Sequence, residues 1–385
     1  MNNFIYENTT KVYFGKGGVK EYLCCLLKNA GDTVMLAYGG GSIRNNGIYD
    51  EVTAILQKAG KTVVEFSGIM PNPTYVKVQE GAELVREKHV DFILAVGGGS
   101  VIDCCKIVSA QAKLSEDIWE METIKRIYPS DFVPMGAIVT AAGTGSEMNS
   151  GAVITNEAEK IKCGLMGAQA QFVFLDPSYT MSVPFKQVIS GAFDTLSHAM
   201  ETYFGKPDIN NLSDDVNEAV MRSVIRNIRI LLSDHENYDA RSELMWASSM
   251  AENGILKIGK ITDFQCHQIE HQLGAYTDCN HGQGLAVIHP VLYRHIYKDG
   301  AERFARFAEN VWGIKAKETV EKTAFAGVEA LADFIKEIGL PTSFMQMGIS
   351  KDTDFRAVAD STNITAGCCK KLTHDEIYEI LKECI

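Results

Sequence analysis

His267 and His271 stand four residues apart in the stretch HQIEH, in a chain of 385 residues that holds only nine histidines. Residues at i and i+4 share one face of a helix, so the two imidazoles point the same way. The pattern H-x-x-E-H is that of one class of metal-dependent peptidase, in which both histidines bind the ion and Glu270 acts as base. His281 follows shortly after, and upstream Asp194 and His198 repeat the four-residue spacing. Imidazole and carboxylate together suit Fe(II) or Zn(II), and ligand softness does not choose between them. A lone D-x-x-x-H is more often a surface ion pair, but the two patterns together in so histidine-poor a chain favour a metal centre.

A second group of residues has the character of a phosphate cradle. Gly39-Gly40-Gly41-Ser42 and Gly97-Gly98-Gly99-Ser100 each lie between an apolar run and a helical one. Three successive glycines cost more backbone entropy than a tight turn needs. They let the backbone approach something bulky, and the helix that follows offers free N–H groups to an anion. The run from Thr140 to Glu147, TAAGTGSE, adds hydroxyls suited to phosphate or ribose. Neither G-x-G-x-x-G nor G-x-x-x-x-G-K-[ST] occurs, which excludes the ordinary Rossmann fingerprint and the P-loop. Three such loops in one domain point to a dinucleotide. No acid follows Gly39 to bond a ribose 2′-hydroxyl, and Arg44 is close by, so NADP(H) is favoured over NAD(H).

The elements that must carry these loops alternate. Strand candidates are DTVMLAYGGGS (32–42), KTVVEFSG (61–68), VDFILAVGGGS (90–100), GAIVTAAGTGS (136–146), GAVITN (151–156) and FVFLDP (172–177). Helical patterns such as TYVKVQEGAELVREKH and VIDCCKIVSAQAK separate the earlier ones. This alternation predicts an α/β domain over residues 1–184, with a parallel sheet covered on both faces. Beyond residue 184, long helical periods such as SDDVNEAVMRSVIRNIRILLSD dominate, predicting an all-helical domain over 185–385.

Composition closes off other classes. Net charge is −12 and no basic block occurs, so a nucleic acid partner is not expected. No apolar run reaches the ~18 residues of a membrane span. The N-terminus lacks a charged n-region and an apolar h-region, and the expected location is cytoplasmic. The ten cysteines include neighbouring pairs and no C-x-x-C, which reads as reduced thiols. Cys266 and Cys279, beside the histidines, are candidates for oxidation.

Taken together, GGGSVID, TAAGTGSE, FDTLSHAME and H-x-x-x-H followed by NHG resemble the iron-containing (group III) alcohol dehydrogenases over nearly the whole chain. YGGGSIRNNG looks most like the butanol dehydrogenase and broad aldehyde reductase branch. The resemblance implies a dehydroquinate synthase-like fold, with an α/β dinucleotide-binding domain and an all-α metal domain. It implies Asp194, His198, His267 and His281 as metal ligands, which makes His271 a neighbour of the substrate and a proton relay. It places Gly39, Gly40, Gly41 and Ser42 near the adenosine, and Gly97, Gly98, Gly99 and Ser100 on the pyrophosphate. Asp103 would lie close to the nicotinamide, with Thr140, Thr144 and Asn149 adding contacts and Lys160, or its rival Lys162, meeting the ribose. A small alcohol or aldehyde is the implied substrate. A polyol dehydrogenase of the same fold is the alternative; a metallopeptidase and a silent nucleotide binder are the remote ones. The N-terminal FIYENTTKVYFGKG is similar to the family's edge strand, which implies a homodimer.

Overall fold

A computed structural model describes residues 2–206 and 211–385. They divide into two compact units, one formed by Glu7–Pro184 and one by Phe185–Ile385 together with Met1–Tyr6. The first residues, expected with the α/β domain, thus belong to the helical unit. Their anchor is local: the Asn2 amide donates to the Gly259 carbonyl at 3.2 Å. The Tyr6 ring also lies close to Gly254.

The unit Glu7–Pro184 opens with β1 (Lys11–Phe14), α1 (Gly18–Leu26), β2 (Thr33–Tyr38), α2 (Ser42–Asn45) and α3 (Ile48–Lys58). Next come β3 (Thr62–Phe66), α4 (Tyr75–Glu87), β4 (Phe92–Gly97) and α5 (Gly99–Gln111). It closes with β5 (Met135–Val139), β6 (Gly151–Asn156), β7 (Ile161–Met166) and β8 (Phe172–Leu175). Six strands form one parallel sheet in the order β1-β8-β5-β4-β2-β3. One face packs Val34, Leu36, Phe92 and Leu94 against Val19 and Leu23 of α1 and Val52 and Leu56 of α3. On α4, Gly81 lets Phe66 and Val108 come close, since a Cβ there would meet both under 3.0 Å. Burial on both faces is why β2 and β4 read as continuous apolar runs.

GAVITN forms β6, but it lies outside the parallel sheet. It pairs antiparallel with β7 in a separate hairpin. β7 was not expected from the sequence, because Lys162, Cys163 and Gly164 interrupt its apolar character.

In the second unit, α6 (Phe185–Tyr203), α7 (Leu212–Ser233), α8 (Tyr238–Glu252), α9 (Gln265–Thr277) and α10 (His281–Ile296) surround the histidines. α11 (Ala301–Asn310), α12 (Val320–Glu337), α13 (Phe355–Ser361) and α14 (His374–Glu383) complete it. Leu196 and Met200 of α6, Ile269 and Leu273 of α9, and Leu285 and Ile288 of α10 share one core. Among the described residues, no helix is long and apolar enough to cross a membrane.

Candidate functional site

The histidine cluster is assembled by three helices. α6 carries Asp194 and His198 on one face, and α9 carries His267 and His271 on one face. α9 stops at Asp278, whose φ of 50° turns the chain out of the helix. The Asn280 side chain then caps α10 by accepting from the Gln283 amide at 3.1 Å, which puts His281 in the first turn. Two glycines allow the close approach this needs. A Cβ on Gly282 would lie 2.3 Å from the Ser190 carbonyl oxygen of α6, and one on Gly284 would lie 2.8 Å from Glu270 Cγ of α9.

The ligand atoms converge on one carboxylate oxygen. Asp194 Oδ1 lies 3.5 Å from His267 Nε2, 3.5 Å from His281 Nε2 and 3.6 Å from His198 Nδ1. Ligand atoms held at ~2.1 Å by a tetrahedral ion stand roughly 3.4 Å apart, which matches the distance from Asp194 to each histidine. Asp194, His267 and His281 offer atoms within 4.8 Å of one another, while His198 joins through Asp194 and through its ring, 4.5 Å from that of His267. Asp194 Oδ1, His198 Nδ1 and His267 Nε2 are buried without a hydrogen-bond partner. Buried polar atoms are rarely left so, and a shared cation answers all three.

Two glutamates fix the rings from behind. The Glu201 carboxylate meets His267 Nδ1, and also accepts from the Cys266 amide at 2.7 Å. Glu270 meets His281 Nδ1 in the same way. Each pairing turns the ring so that Nε2 faces Asp194. Burial opposes charge on His267, but the Glu201 and Asp194 carboxylates prevail and raise its pKa to about 10. Burial also opposes ionisation of Asp194, yet His198 and His281 hold it well below the usual carboxylate range. The pocket therefore favours positive charge at its centre. Glu270, the base of the peptidase reading, is committed to His281 instead.

Glu201 escaped notice in the sequence, although Asp194, His198 and Glu201 follow the i, i+4, i+7 spacing of one helix face. His271 is buried, one turn along α9 from His267, with its ring 5.5 Å from that of His281. Cys266 is sealed in the core and burial keeps its thiol pKa well above the ordinary value, so it is a poor target for oxidation. Cys279 is buried with its thiol 3.7 Å from Glu270 Oε1.

In the α/β unit, the glycine loops follow β2 and β4 at the same end of neighbouring parallel strands. Within the second loop, packing accounts for two glycines: a Cβ on Gly97 would lie 2.5 Å from Val101, and one on Gly99 would lie 2.2 Å from Thr144 Oγ1. Gly98 precedes α5, whose first turn has no side-chain cap. In the first loop, Gly41 needs its φ of 107°, but a Cβ on Gly40 would meet nothing within 4 Å. Open space beside Gly40 is what a bulky ligand requires. Ser42 starts α2, and the Ser100 hydroxyl donates to the Pro71 carbonyl.

Asp103 does not stand out into the loop space. One of its oxygens accepts from the Ser146 hydroxyl and the other from the Val153 amide at 2.9 Å. Lys106, fully buried, donates to Asn149 Oδ1 at 3.0 Å and to the Gly151 carbonyl at 2.6 Å. These two residues tie α5 to the 140–149 loop. Thr140 takes its amide bond to Gly97, and Thr144 Oγ1 accepts from the Ser146 amide. Lys160 sits in the β6–β7 turn with φ of 54°, exposed, whereas Lys162 is buried with Nζ 3.0 Å from Asn72 Oδ1. Arg44 is engaged rather than free: Glu65 Oε2 holds it at 2.6 Å, and Glu65 also accepts from Tyr38 and Tyr49.

Residues 9–177 match the family described as iron-containing alcohol dehydrogenase, and residues 188–385 match the C-terminal region of the Fe-containing alcohol dehydrogenase family. A probable NADH-dependent butanol dehydrogenase of Bacillus subtilis is 40% identical, covering 99% of both chains. An NADPH-dependent aldehyde reductase of Escherichia coli is 35% identical, over 91% of this chain and 90% of its own. The crystal structure of an NADH-dependent butanol dehydrogenase A from Thermotoga maritima superposes with a TM-score of 0.94 at 34% identity, covering 100% of this chain and 99% of that one.

Proposed function

The chain belongs to the iron-containing alcohol dehydrogenases, in the butanol dehydrogenase branch, and on this basis we propose reversible hydride exchange between NAD(P)H and a small primary alcohol or aldehyde of the butanol and butanal kind. The observation that carries it is the convergence of His198, His267 and His281 on Asp194 Oδ1. These four residues hold the metal, either Fe(II) or Zn(II), and Glu201 and Glu270 orient its imidazoles. The bound metal supplies Lewis acidity toward the substrate oxygen, and the nicotinamide gives or takes the hydride. His271 takes up and returns the alcohol's proton at a ring nitrogen.

For the dinucleotide, the space beside Gly40 and the start of α5 after Gly98 support adenosine and pyrophosphate positions. Lys162 is the better supported of the two lysines, since it is buried among polar partners. Asp103 and Asn149 act by bracing the loops. Absence of an acid after Gly39 supports NADP(H), and Glu65 narrows that preference by half-neutralising Arg44. Both cofactors are accepted. A homodimer is supported by β1, which pairs with β8 and lies at the sheet edge. The cysteines are free thiols, in keeping with a cytoplasmic location.

The test is NADPH and NADH oxidation with butanal, using protein stripped by chelator and then supplied anaerobically with Fe(II) or Zn(II). Turnover that returns with metal supports the reading. No turnover under any of these conditions, or, in the reverse direction, NAD(P)+ reduction with 1,3-propanediol and none with 1-butanol, overturns the butanol assignment.

A further inference from the structure

The segment between α13 and α14 holds a pair of adjacent thiols that the metal centre does not use. Cys368 and Cys369 bring their Sγ atoms to 3.3 Å. Cys368 is buried at 2% exposure, while Cys369 is half-buried. Room for the outer thiol comes from Gly300, where a Cβ would lie 2.6 Å from the Cys369 Cβ. The pair follows Gly367, whose φ of 84° turns the chain sharply before it.

The same segment is tied to the start of α9. The Thr365 amide donates to Gln265 Oε1 at 3.0 Å, and Gln265 Nε2 donates back to the Asn363 carbonyl at 3.1 Å. The Thr365 hydroxyl donates to Asp263 Oδ1 at 2.5 Å. Gln265 is the first residue of α9, two before His267. The dithiol is thus linked by a few hydrogen bonds to the helix that presents His267 and His271.

We propose that Cys368 and Cys369 form a redox site which a small-molecule disulfide oxidises to an intramolecular disulfide, and that closing it loosens the attachment of α9. The thiolate of the half-buried Cys369 attacks the external disulfide, breaking its S–S bond and releasing one thiol. Cys368 then gives up its proton and displaces the second thiol from Cys369. Two cysteine thiols are oxidised, one external disulfide is reduced, and both protons leave on the released thiols. Neighbouring Cα atoms stand ~3.8 Å apart, closer than the ~4.4–6.8 Å that an unstrained disulfide spans. The bond is therefore strained and readily reduced, which suits a reversible site. Drawing the sulfurs from contact to a bond of about 2.05 Å displaces the segment that holds Gln265.

The effect on activity rests on the function proposed above, but formation of the bond does not. The metal-loaded enzyme is incubated with oxidised glutathione, blocked with iodoacetamide without reduction and mapped by peptide mass spectrometry. The peptide containing residues 368 and 369 is expected to lose two hydrogens, resist alkylation and recover with dithiothreitol. Butanal reduction falls in parallel by up to about 10²-fold, the cost of misplacing catalytic groups by about 1 Å, and returns on reduction. C369S, or C368A if the first folds poorly, keeps its activity under the same treatment. Two alkylated thiols in the treated parent, or a lasting glutathione adduct on Cys369, would overturn the site. A disulfide that leaves activity unchanged would overturn the link to α9. An enzyme inactive before oxidation would refute the proposed function instead.

Discussion

Glu270 and His281 face each other across α9 and α10, carboxylate to Nδ1, so that His281 Nε2 is left 3.5 Å from Asp194 Oδ1. Gly284 makes the contact sterically possible, because any side chain there would strike Glu270. Glu201 repeats the arrangement on His267. Carboxylates behind the ligating rings raise their basicity and fix their tautomer. E270Q and E201Q should therefore fold but bind Fe(II) or Zn(II) about 10–100-fold more weakly. Competition against a chromogenic chelator reads this directly. Parental affinity in both variants would show that the glutamates only pack.

His271 separates a ligand role from a proton-handling role. It shares a helix face with His267, and its ring stacks on that of His281 at 5.5 Å. H271A should keep near-parental metal content while kcat falls by about 10²–10⁴-fold, the range typical of lost general acid–base catalysis. Metal analysis alongside steady-state kinetics checks both halves. A variant that loses its metal would make His271 a ligand.

The sequence made some of this visible and hid the rest for physical reasons. β2 and β4 were legible because burial on both faces gives an unbroken apolar run, and a glycine loop marks each end. The pairs Asp194/His198 and His267/His271 were legible because helical spacing is written in the sequence, whereas His281, which starts a separate helix, came forward in place of His271 only through the family resemblance. Glu201 was not singled out, since a glutamate at such spacing is ordinarily a solvated face, and only its burial against His267 gives it a role. Nor could spacing reveal that Asp103 turns back onto Ser146 and Val153, contacts 43 and 50 residues away in the chain. The strand β7 was hidden by Lys162, whose burial depends on Asn72, 90 residues upstream.

Glu122 gives the α/β unit a pH dependence of its own. It is 3% exposed, accepts from the Met166 amide at 2.7 Å through Oε2, and has no hydrogen-bond partner at Oε1. Burial raises its pKa to about 7, against which the Met166 amide works. Because the folded value lies above the unfolded one, the native state binds the extra proton. Its contribution is complete below the ordinary value of 4.5 and is lost as pH rises through about 7. The loss is on the order of 3 kcal/mol. E122Q should melt with the parent near pH 4.5 and above it by about 6–10 °C at pH 8. Calorimetry across that range decides the matter, and a pH-independent difference would remove Glu122 as its source.

The pairing of Arg44 with Glu65 at 2.6 Å makes a testable prediction about the choice between the two dinucleotides. Glu65 stands at the end of β3, and Tyr38, Tyr49 and Arg44 all turn toward it. The Arg44 guanidinium lies over the Tyr49 ring, 3.8 Å from its centre. A 2′-phosphate arriving near Gly40 would meet the cation together with its counter-charge. E65Q removes the counter-charge and keeps an acceptor for the tyrosines, so binding of 2′,5′-ADP should tighten by about tenfold while that of 5′-AMP stays level, within the range of a charge-assisted hydrogen bond. R44A should do the reverse. Isothermal titration with the two fragments reads the effect without turnover, and the ratio of kcat/KM for NADPH and NADH should follow it. Equal shifts for both fragments would mean that Glu65 shapes the adenosine pocket as a whole and does not sense the 2′ position.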